Sequence, residues 1–276
     1  MKSNKTILSL IAVLFIFSAI ALAGCGSSET AADTTGNTST ETEEVVEEVV
    51  EEVVYVIGTD AAYPPFEKQE GGKIVGFDID VLDAVAAAAG IKVEVKHTGW
   101  DPLFEGIKNG TVNAGISAIT ITEDRKEIYD FSDPYFEATQ LIMVAKDSTI
   151  STLQDLAGKK IGVQAATTGH LAVQEVFGVA YDGIKAYEDT PMAVDDFLLG
   201  RVDAVVADNA VLQEYLKVLN SDNFKLVKDP SFEIESYGMM VKKGSSSELL
   251  TKLNEGLKKI KEDGTYDKIF QKYFAE

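Results

Sequence analysis

Arg125 and Arg201 are the only arginines in a chain with 25 basic residues. A planar guanidinium fork grips a carboxylate through two parallel hydrogen bonds, which an ammonium cannot do. Arg125 falls in the first turn of a helix opened by Thr122-Glu123-Asp124, where the macrodipole disfavours a cation. A bound carboxylate removes that conflict; the alternative is an ion pair with Glu123, Asp124 or Asp130. Arg201 follows a glycine after a helix, where a cation suits the C-terminal dipole, so it reads as structural. Thr167-Thr168-Gly169 stands between a strand and a helix, where free backbone N–H groups bind anions. Thr-Thr-Gly is also an ordinary capping sequence, but with Arg125 it suggests a carboxylate clamped from two units. Asp60, Tyr63, Trp100 and Asp208 all come just after predicted strands, where open α/β sheets place ligands. Catalytic constellations are thin. The sequence has two histidines, no serine in a nucleophile elbow, no P-loop, no dinucleotide fingerprint and no metal-spaced cluster. His97 reads as a strand-edge surface residue and His170 as a capping or cleft-lining one.

The elements that must carry these residues alternate between strand and helix. Residues 54–58 form a short apolar run, and 77–89 place Ile79, Leu82, Val85 and Ala86 on one helical face before Gly90 ends the pattern. Residues 91–95 alternate as a half-buried strand does. Asp101-Pro102 predicts an N-cap with proline at the first helical position, and 112–119 predict another strand. Residues 141–145 read as a central strand. The pattern then starts afresh, with strands at 160–163, 184–187, 202–207 and 237–241. Helices are predicted over 170–177, 190–199 and 209–219, and two amphipathic ones end the chain at 247–261 and 266–274. Helix-joined strands predict two α/β units with largely parallel pairing.

The N-terminal quarter has a different character. Lys2 and Lys5 precede an apolar run over 7–23 that ends in small residues, as a secretory signal does. The only cysteine, Cys25, follows directly in Leu22-Ala23-Gly24-Cys25, which resembles a bacterial lipobox. Residues 1–24 are therefore expected to be a lipoprotein signal peptide, and Cys25 a lipid-anchored N-terminus on the extracellular face of the membrane. One cysteine also excludes a disulfide framework and a cysteine-rich metal site. Residues 26–54 hold nine acids and no base, and read as an acidic tether that cannot bury enough apolar surface to order itself. Removing the two signal lysines and nine tether acids from the formal charge of −20 leaves −13 on residues 55–276. Such a body is a poor nucleic-acid binder and suits small cations.

Several segments together resemble the extracellular amino-acid-binding proteins of ABC importers. They are Gly58-Thr59-Asp60-Ala61-Ala62-Tyr63-Pro64-Pro65-Phe66, Gly76-Phe77-Asp78-Ile79-Asp80, Ile119-Thr120-Ile121-Thr122-Glu123-Asp124-Arg125 and Asp130-Phe131-Ser132-Asp133-Pro134-Tyr135. Gly162-Val163-Gln164, Thr167-Thr168-Gly169 and Gly200-Arg201-Val202-Asp203-Ala204 extend the likeness. It implies a two-lobe, type II periplasmic-binding-protein-like α/β fold with two hinge strands. Lobe 1 would span 55–142 plus 239–276 and lobe 2 would span 143–238, with hinges within 141–146 and 235–239.

The resemblance also implies roles. Arg125 would hold a ligand α-carboxylate, helped by Thr120 and the backbone near Thr168. Asp208 would take the α-ammonium with the backbone at Ser117 or Ala118. Tyr63 and Trp100 would sandwich the ligand side chain and Asp60 would face its far end. Gln164, where glutamine binders often carry a lysine, lowers repulsion toward a cation and favours arginine, lysine or histidine; glutamine or another polar amino acid is the alternative. A dehydratase acting on cyclic carboxylic acids is a remoter one, and Asp208 argues for binding over turnover. The implied partners are membrane permease subunits, with no cofactor, no metal and a monomeric state.

Overall fold

The computed structural model describes residues 53–275. The signal peptide, Cys25 and nearly all of the tether lie outside these residues. The body is built on two five-stranded sheets. The first runs Lys92–His97, Val54–Thr59, Ala114–Gly115, Met240–Lys242, Tyr129–Phe131. The second runs Ile184–Tyr187, Ile161–Gln164, Ala204–Asp208, Gln140–Ala145, Phe224–Val227. Each thus supports one lobe, and the two-lobe α/β architecture expected from the sequence is the one found.

Pairing is less parallel than expected. In each sheet the first three strands pair parallel, and the last two are antiparallel to their neighbours. The chain's crossings explain this. Gln140–Ala145 enters the second sheet, and Met240–Lys242 re-enters the first, directly from a connecting ribbon, without the helical crossover that parallel neighbours need. That ribbon pairs Phe136–Ala138 antiparallel with Glu235–Tyr237. Glu235–Tyr237 falls within 235–239, where the second hinge is expected. Gln140–Ala145, in the stretch expected to hold the first, is an interior strand of the second sheet, so a boundary at 142 cuts through a strand.

Two smaller expectations also change. The strand expected over 112–119 shrinks to Ala114–Gly115, because the chain then turns out through Ala118 at φ 46 to line the site. The helix expected to be capped by Asp101 is Trp100–Asn109, with Gly99 as its cap at φ 81 and Asp101 inside its first turn.

The first lobe is closed from behind by helices. Phe77–Ala89 buries Phe77, Val81, Leu82 and Val85 completely and ends on left-handed Gly90. Against it pack the C-terminal helices Ser247–Glu262 and Thr265–Phe274. Phe66, Phe77, Phe136, Tyr237 and Phe274 form a continuous aromatic core with mostly edge-to-face contacts at centroid distances of 4.9–6.0 Å. Such geometry adds to the area that the rings bury. The core runs from the helix Phe77–Ala89 to the crossing ribbon, so ribbon and first lobe are packed as one body.

The approach of two of these helices depends on Gly256. A Cβ there would lie 2.4 Å from the Val85 carbonyl oxygen and 2.9 Å from its Cγ1. Backbone cannot yield as a flexible side chain does. Gly256→Ala is therefore expected to destabilise the fold by about 1–3 kcal/mol despite alanine's better helix propensity, read as a lower urea midpoint at unchanged m-value.

Candidate functional site

The carboxyl ends of the parallel strands from both sheets meet between the lobes. Asp60 and Tyr63 follow Val54–Thr59, and Ser117, Ala118 and Thr120 follow Ala114–Gly115. Gln164 ends Ile161–Gln164, Thr168 opens the helix Thr168–Phe177, and Asp208 ends Ala204–Asp208. With Trp100 and Arg125 these ten residues line one narrow cavity, joined by Thr167 and nearly filled by the side chains that meet across it.

Direct contacts tie the lobes together around it. The Tyr63 hydroxyl of the first lobe donates to Asp208 Oδ2 at 2.7 Å. Gln164 Nε2 of the second donates to Asp60 Oδ2 at 2.9 Å, while its Oε1 accepts from Thr190 at 2.9 Å. Asp208 also accepts from Tyr237 of the ribbon at 2.6 Å and from Gln140 Nε2. Burial pushes its carboxyl up to about 6 and the nearby Glu235 charge adds to the rise, against the lowering effect of the three donors. Burial likewise raises Asp60, against the lowering effect of the Gln164 hydrogen bond.

Arg125 is held differently from the ion pair that stood as its alternative. Nη1 donates to the Thr120 carbonyl at 2.8 Å and Nη2 to the Ala166 carbonyl across the cleft at 3.3 Å. Its guanidinium lies 5.4 Å from the Trp100 centroid and 5.1 Å from that of Phe104, within cation–π range. Burial lowers its pKa to about 10, opposed by the charges of Glu235 and Asp208, so it stays cationic at neutral pH. Trp100 therefore already holds Arg125, a contact the sequence does not suggest, and its buried Nε1 is without a protein partner.

The remaining candidates fall away from the cavity lining. Arg201 pairs with Asp196 at 2.8 Å, as its position suggested. His97 lies on the edge strand of the first sheet and accepts from the Ala61 N–H at 3.1 Å. His170 Nδ1 accepts from the Ala166 N–H at 3.1 Å, so its proton sits on Nε2.

Four residues that support the site escape sequence reasoning. Gln140, at the head of an otherwise apolar strand, binds Asp208 and reaches Thr168 at 3.3 Å. Gly169 leaves it room, since a Cβ there would lie 2.7 Å from Gln140 Oε1. The polar residue opening an apolar run was the available signal. Glu67 and Asp78, both fully buried, have no such signal, because their partners are far away in sequence. Glu67 Oε1 accepts from the Ser117 hydroxyl at 2.8 Å, and that hydroxyl accepts from the Asp60 N–H at 2.9 Å. Asp78 Oδ2 accepts from the Ala118 N–H at 2.7 Å and from the Tyr135 hydroxyl at 2.8 Å. The two carboxyls are neighbours that bond each other, and Glu67 Oε2 and Asp78 Oδ1 are the buried oxygens left without another partner. Two carboxyl oxygens in contact need a proton between them, and burial raises both groups' pKa values. This acid pair thus fixes the cavity floor at Ser117 and left-handed Ala118. Glu235, on the ribbon, is the fourth.

Residues 55–276 match the family model described as bacterial extracellular solute-binding proteins, family 3. The chain belongs to this family. A probable histidine-binding protein of Neisseria gonorrhoeae is 37% identical over 96% of the chain and 95% of that protein. The arginine-binding extracellular protein ArtP of Bacillus subtilis is 31% identical over 99% and 98%. Among solved structures, the arginine-, lysine-, histidine-binding protein ArtJ of Geobacillus stearothermophilus is 49% identical, with a TM-score of 0.78 over 81% of this chain and 96% of that one. The two lobes and crossing ribbon are the type II periplasmic-binding-protein fold of this solute-binding family.

The shared proton gives a test of the cavity floor. Glu67→Leu removes it and strips the Ser117 hydroxyl of its acceptor, at an expected cost of about 3 kcal/mol. Glu67→Gln keeps a donor toward Asp78 and is expected to cost about 1 kcal/mol or less. The unfolded chain releases the Glu67 proton near an ordinary glutamate pKa and the folded protein well above it. Wild-type stability therefore falls as pH rises through that interval, and denaturation of Glu67→Gln should show a shallower slope, with only the share from Asp78 left.

Proposed function

We propose that this solute-binding protein captures one basic amino acid, arginine, lysine or histidine, between its lobes and delivers it to the membrane subunits of an ABC importer. The observation that carries the reading is the division of the cavity. Its one cation, Arg125, stands at one part of the lining, and the buried acids Asp208 and Asp60 at others, beside the rings of Tyr63 and Trp100. That pattern fits a ligand with one carboxylate and two positive ends. The relatives named for histidine and arginine, and the ArtJ structure, support the ligand class.

In this reading the Arg125 fork takes the α-carboxylate, aided by Thr120 and the N–H groups opening the helix at Thr168. Asp208 takes the α-ammonium, with the backbone carbonyls at Ser117 and Ala118 near it. Tyr63 walls the side chain, Trp100 serves both Arg125 and the ligand, and Asp60 with Gln164 receives the distal cation. Both lobes supply these groups, so the ligand binds the closed form better and shifts the equilibrium toward it. The permease would recognise the closed lobes. Lipidation at Cys25 would anchor a monomer on the extracellular face, with the acidic segment as spacer.

Glutamine is the second reading. An ancestral arginine-binding protein solved with glutamine is 44% identical to this chain, at a TM-score of 0.75. Asp60 separates the two. Asp60→Asn is expected to weaken arginine binding roughly 10- to 100-fold, in line with losing a buried charge partner, and to leave glutamine within about threefold. Calorimetry on refolded, ligand-stripped protein reads both; a reversed order would favour glutamine. The carboxyl of Asp208 adds a pH signature. An ammonium beside it lowers a pKa now held at about 6, so binding near that pH expels a proton. Titrations in buffers of different ionisation enthalpy should show release of up to about half a proton per ligand near pH 6 and almost none near pH 8. Affinity should fall as the pH drops below about 6.

A further inference from the structure

Glu235 is the first residue of the ribbon strand Glu235–Tyr237, which crosses between the lobes. Its Oε2 accepts from the Thr120 hydroxyl at 2.8 Å and from the Thr168 hydroxyl at 2.8 Å. Thr120 belongs to the first lobe, bridged to Tyr237, and Thr168 opens a helix of the second. The two hydroxyls stand 3.5 Å apart, and Gln140 Nε2 lies 3.4 and 3.5 Å from the two Glu235 oxygens. One carboxylate oxygen thus joins a donor from each lobe, and the joint sits on a strand of the ribbon that links them.

Three features make this more than a surface contact. Each threonine has a single hydroxyl proton, and both are given to Glu235, so the joint is a pair of charge-assisted hydrogen bonds, stronger than neutral ones. The helix beginning at Thr168 presents its positive end to the same carboxylate. Arg125 lies close enough for the Glu235 charge to raise its pKa, so the carboxylate partly balances a buried guanidinium before any ligand arrives. The Thr168 bond and the helix end need the lobes together: the ribbon packs with the first lobe, which carries Thr120 and Arg125, so separation takes Thr168 and its helix away from Glu235.

We infer that Glu235 is a closure latch, a positioning residue that ties Thr120 to Thr168 and sets how often the lobes close without ligand. Closure then does not begin from zero when ligand arrives. The apparent affinity for any ligand scales with the fraction of molecules the latch already holds in the binding-competent form. The latch acts on closure rather than on one ligand group, so its removal weakens every ligand by a common factor. This consequence rests on the proposed amino-acid binding; the latch itself does not.

The test compares wild type, Glu235→Ala and Glu235→Gln as ligand-stripped full-length proteins by small-angle X-ray scattering, then by calorimetry with arginine, lysine and glutamine. Glu235→Ala is expected to raise the ligand-free radius of gyration and to weaken each amino acid that binds by the same factor, roughly tenfold, with saturating ligand restoring the wild-type radius. Glu235→Gln keeps an acceptor oxygen but loses the charge, and is expected to fall between wild type and Glu235→Ala in both radius and affinity, a grading that a residue needed only for stability would not give. An unchanged ligand-free radius in both variants overturns the latch. So does tighter binding in Glu235→Ala, which would mean that Glu235 competes with the ligand for the two hydroxyls. If Glu235→Ala does not fold, the same readings on Glu235→Gln decide, since loss of its charge must still open the ligand-free protein measurably. If no amino acid binds wild type yet the variants open it, the latch stands and the ligand reading falls. If amino acids bind while the radius never changes, the reverse holds.

Discussion

One buried carboxylate, that of Asp208, takes hydrogen bonds from both lobes and from the ribbon between them. Tyr63 reaches it from the first lobe, Gln140 from the second and Tyr237 from the crossing strand. No cation pairs with it directly among the described residues, so its cost in burial is met mainly by donors, with the more distant Arg125 charge, and each donor must be held in place. Much of the neighbouring architecture does that holding. Tyr237 is fixed by the aromatic core, its ring 5.4 Å from Phe136 and 5.3 Å from Phe66. Gln140 is given room by Gly169. Tyr63 sits in the same core, and its hydroxyl is kept protonated by burial and by the charge it faces.

A second acid site stands under the first lobe's share of the cavity. Glu67 and Asp78 hold Ser117 and Ala118, and Ser117 in turn holds the Asp60 N–H. Asp208 keeps its charge at neutral pH and is available to a cation. The pair beneath keeps a proton and serves the backbone. Both arrangements place carboxyls in dry surroundings, and the number of donors and the presence of a neighbouring acid decide which of them ionises.

The sequence made much of this legible, and the reasons are local. The helix Phe77–Ala89 could be read to the residue, because its apolar spacing and Gly90 are properties of one segment. The ten residues assigned to the site line one cavity; Asp60, Tyr63, Trp100, Thr168 and Asp208 stood out by their places just past strands and Arg125 by its residue type, and the rest came with the family resemblance. The antiparallel re-entry of Met240–Lys242 and the place of Gln140–Ala145 within the second sheet were not legible, since pairing partners leave no periodic trace. Glu67, Asp78 and Glu235 looked like three among 45 acids. What sets them apart is depth and neighbours brought from 50 or more positions away. Trp100 was visible as a cleft residue, but its grip on Arg125 depends on a helix-to-helix approach that spacing does not encode.

The route of the chain has a consequence for synthesis. The second sheet is made from strands between Gln140 and Val227, with no contribution from later residues. The first sheet waits for Met240–Lys242, and the apolar face of Phe77–Ala89 waits for Ser247–Glu262. As the chain emerges in order, the lobe begun second is the one that can be completed first. The lobe begun first must keep Phe77, Leu82 and Val85 uncovered until nearly the whole chain is made. Its long-range closure therefore sets the interval during which the nascent protein is most exposed to misassociation.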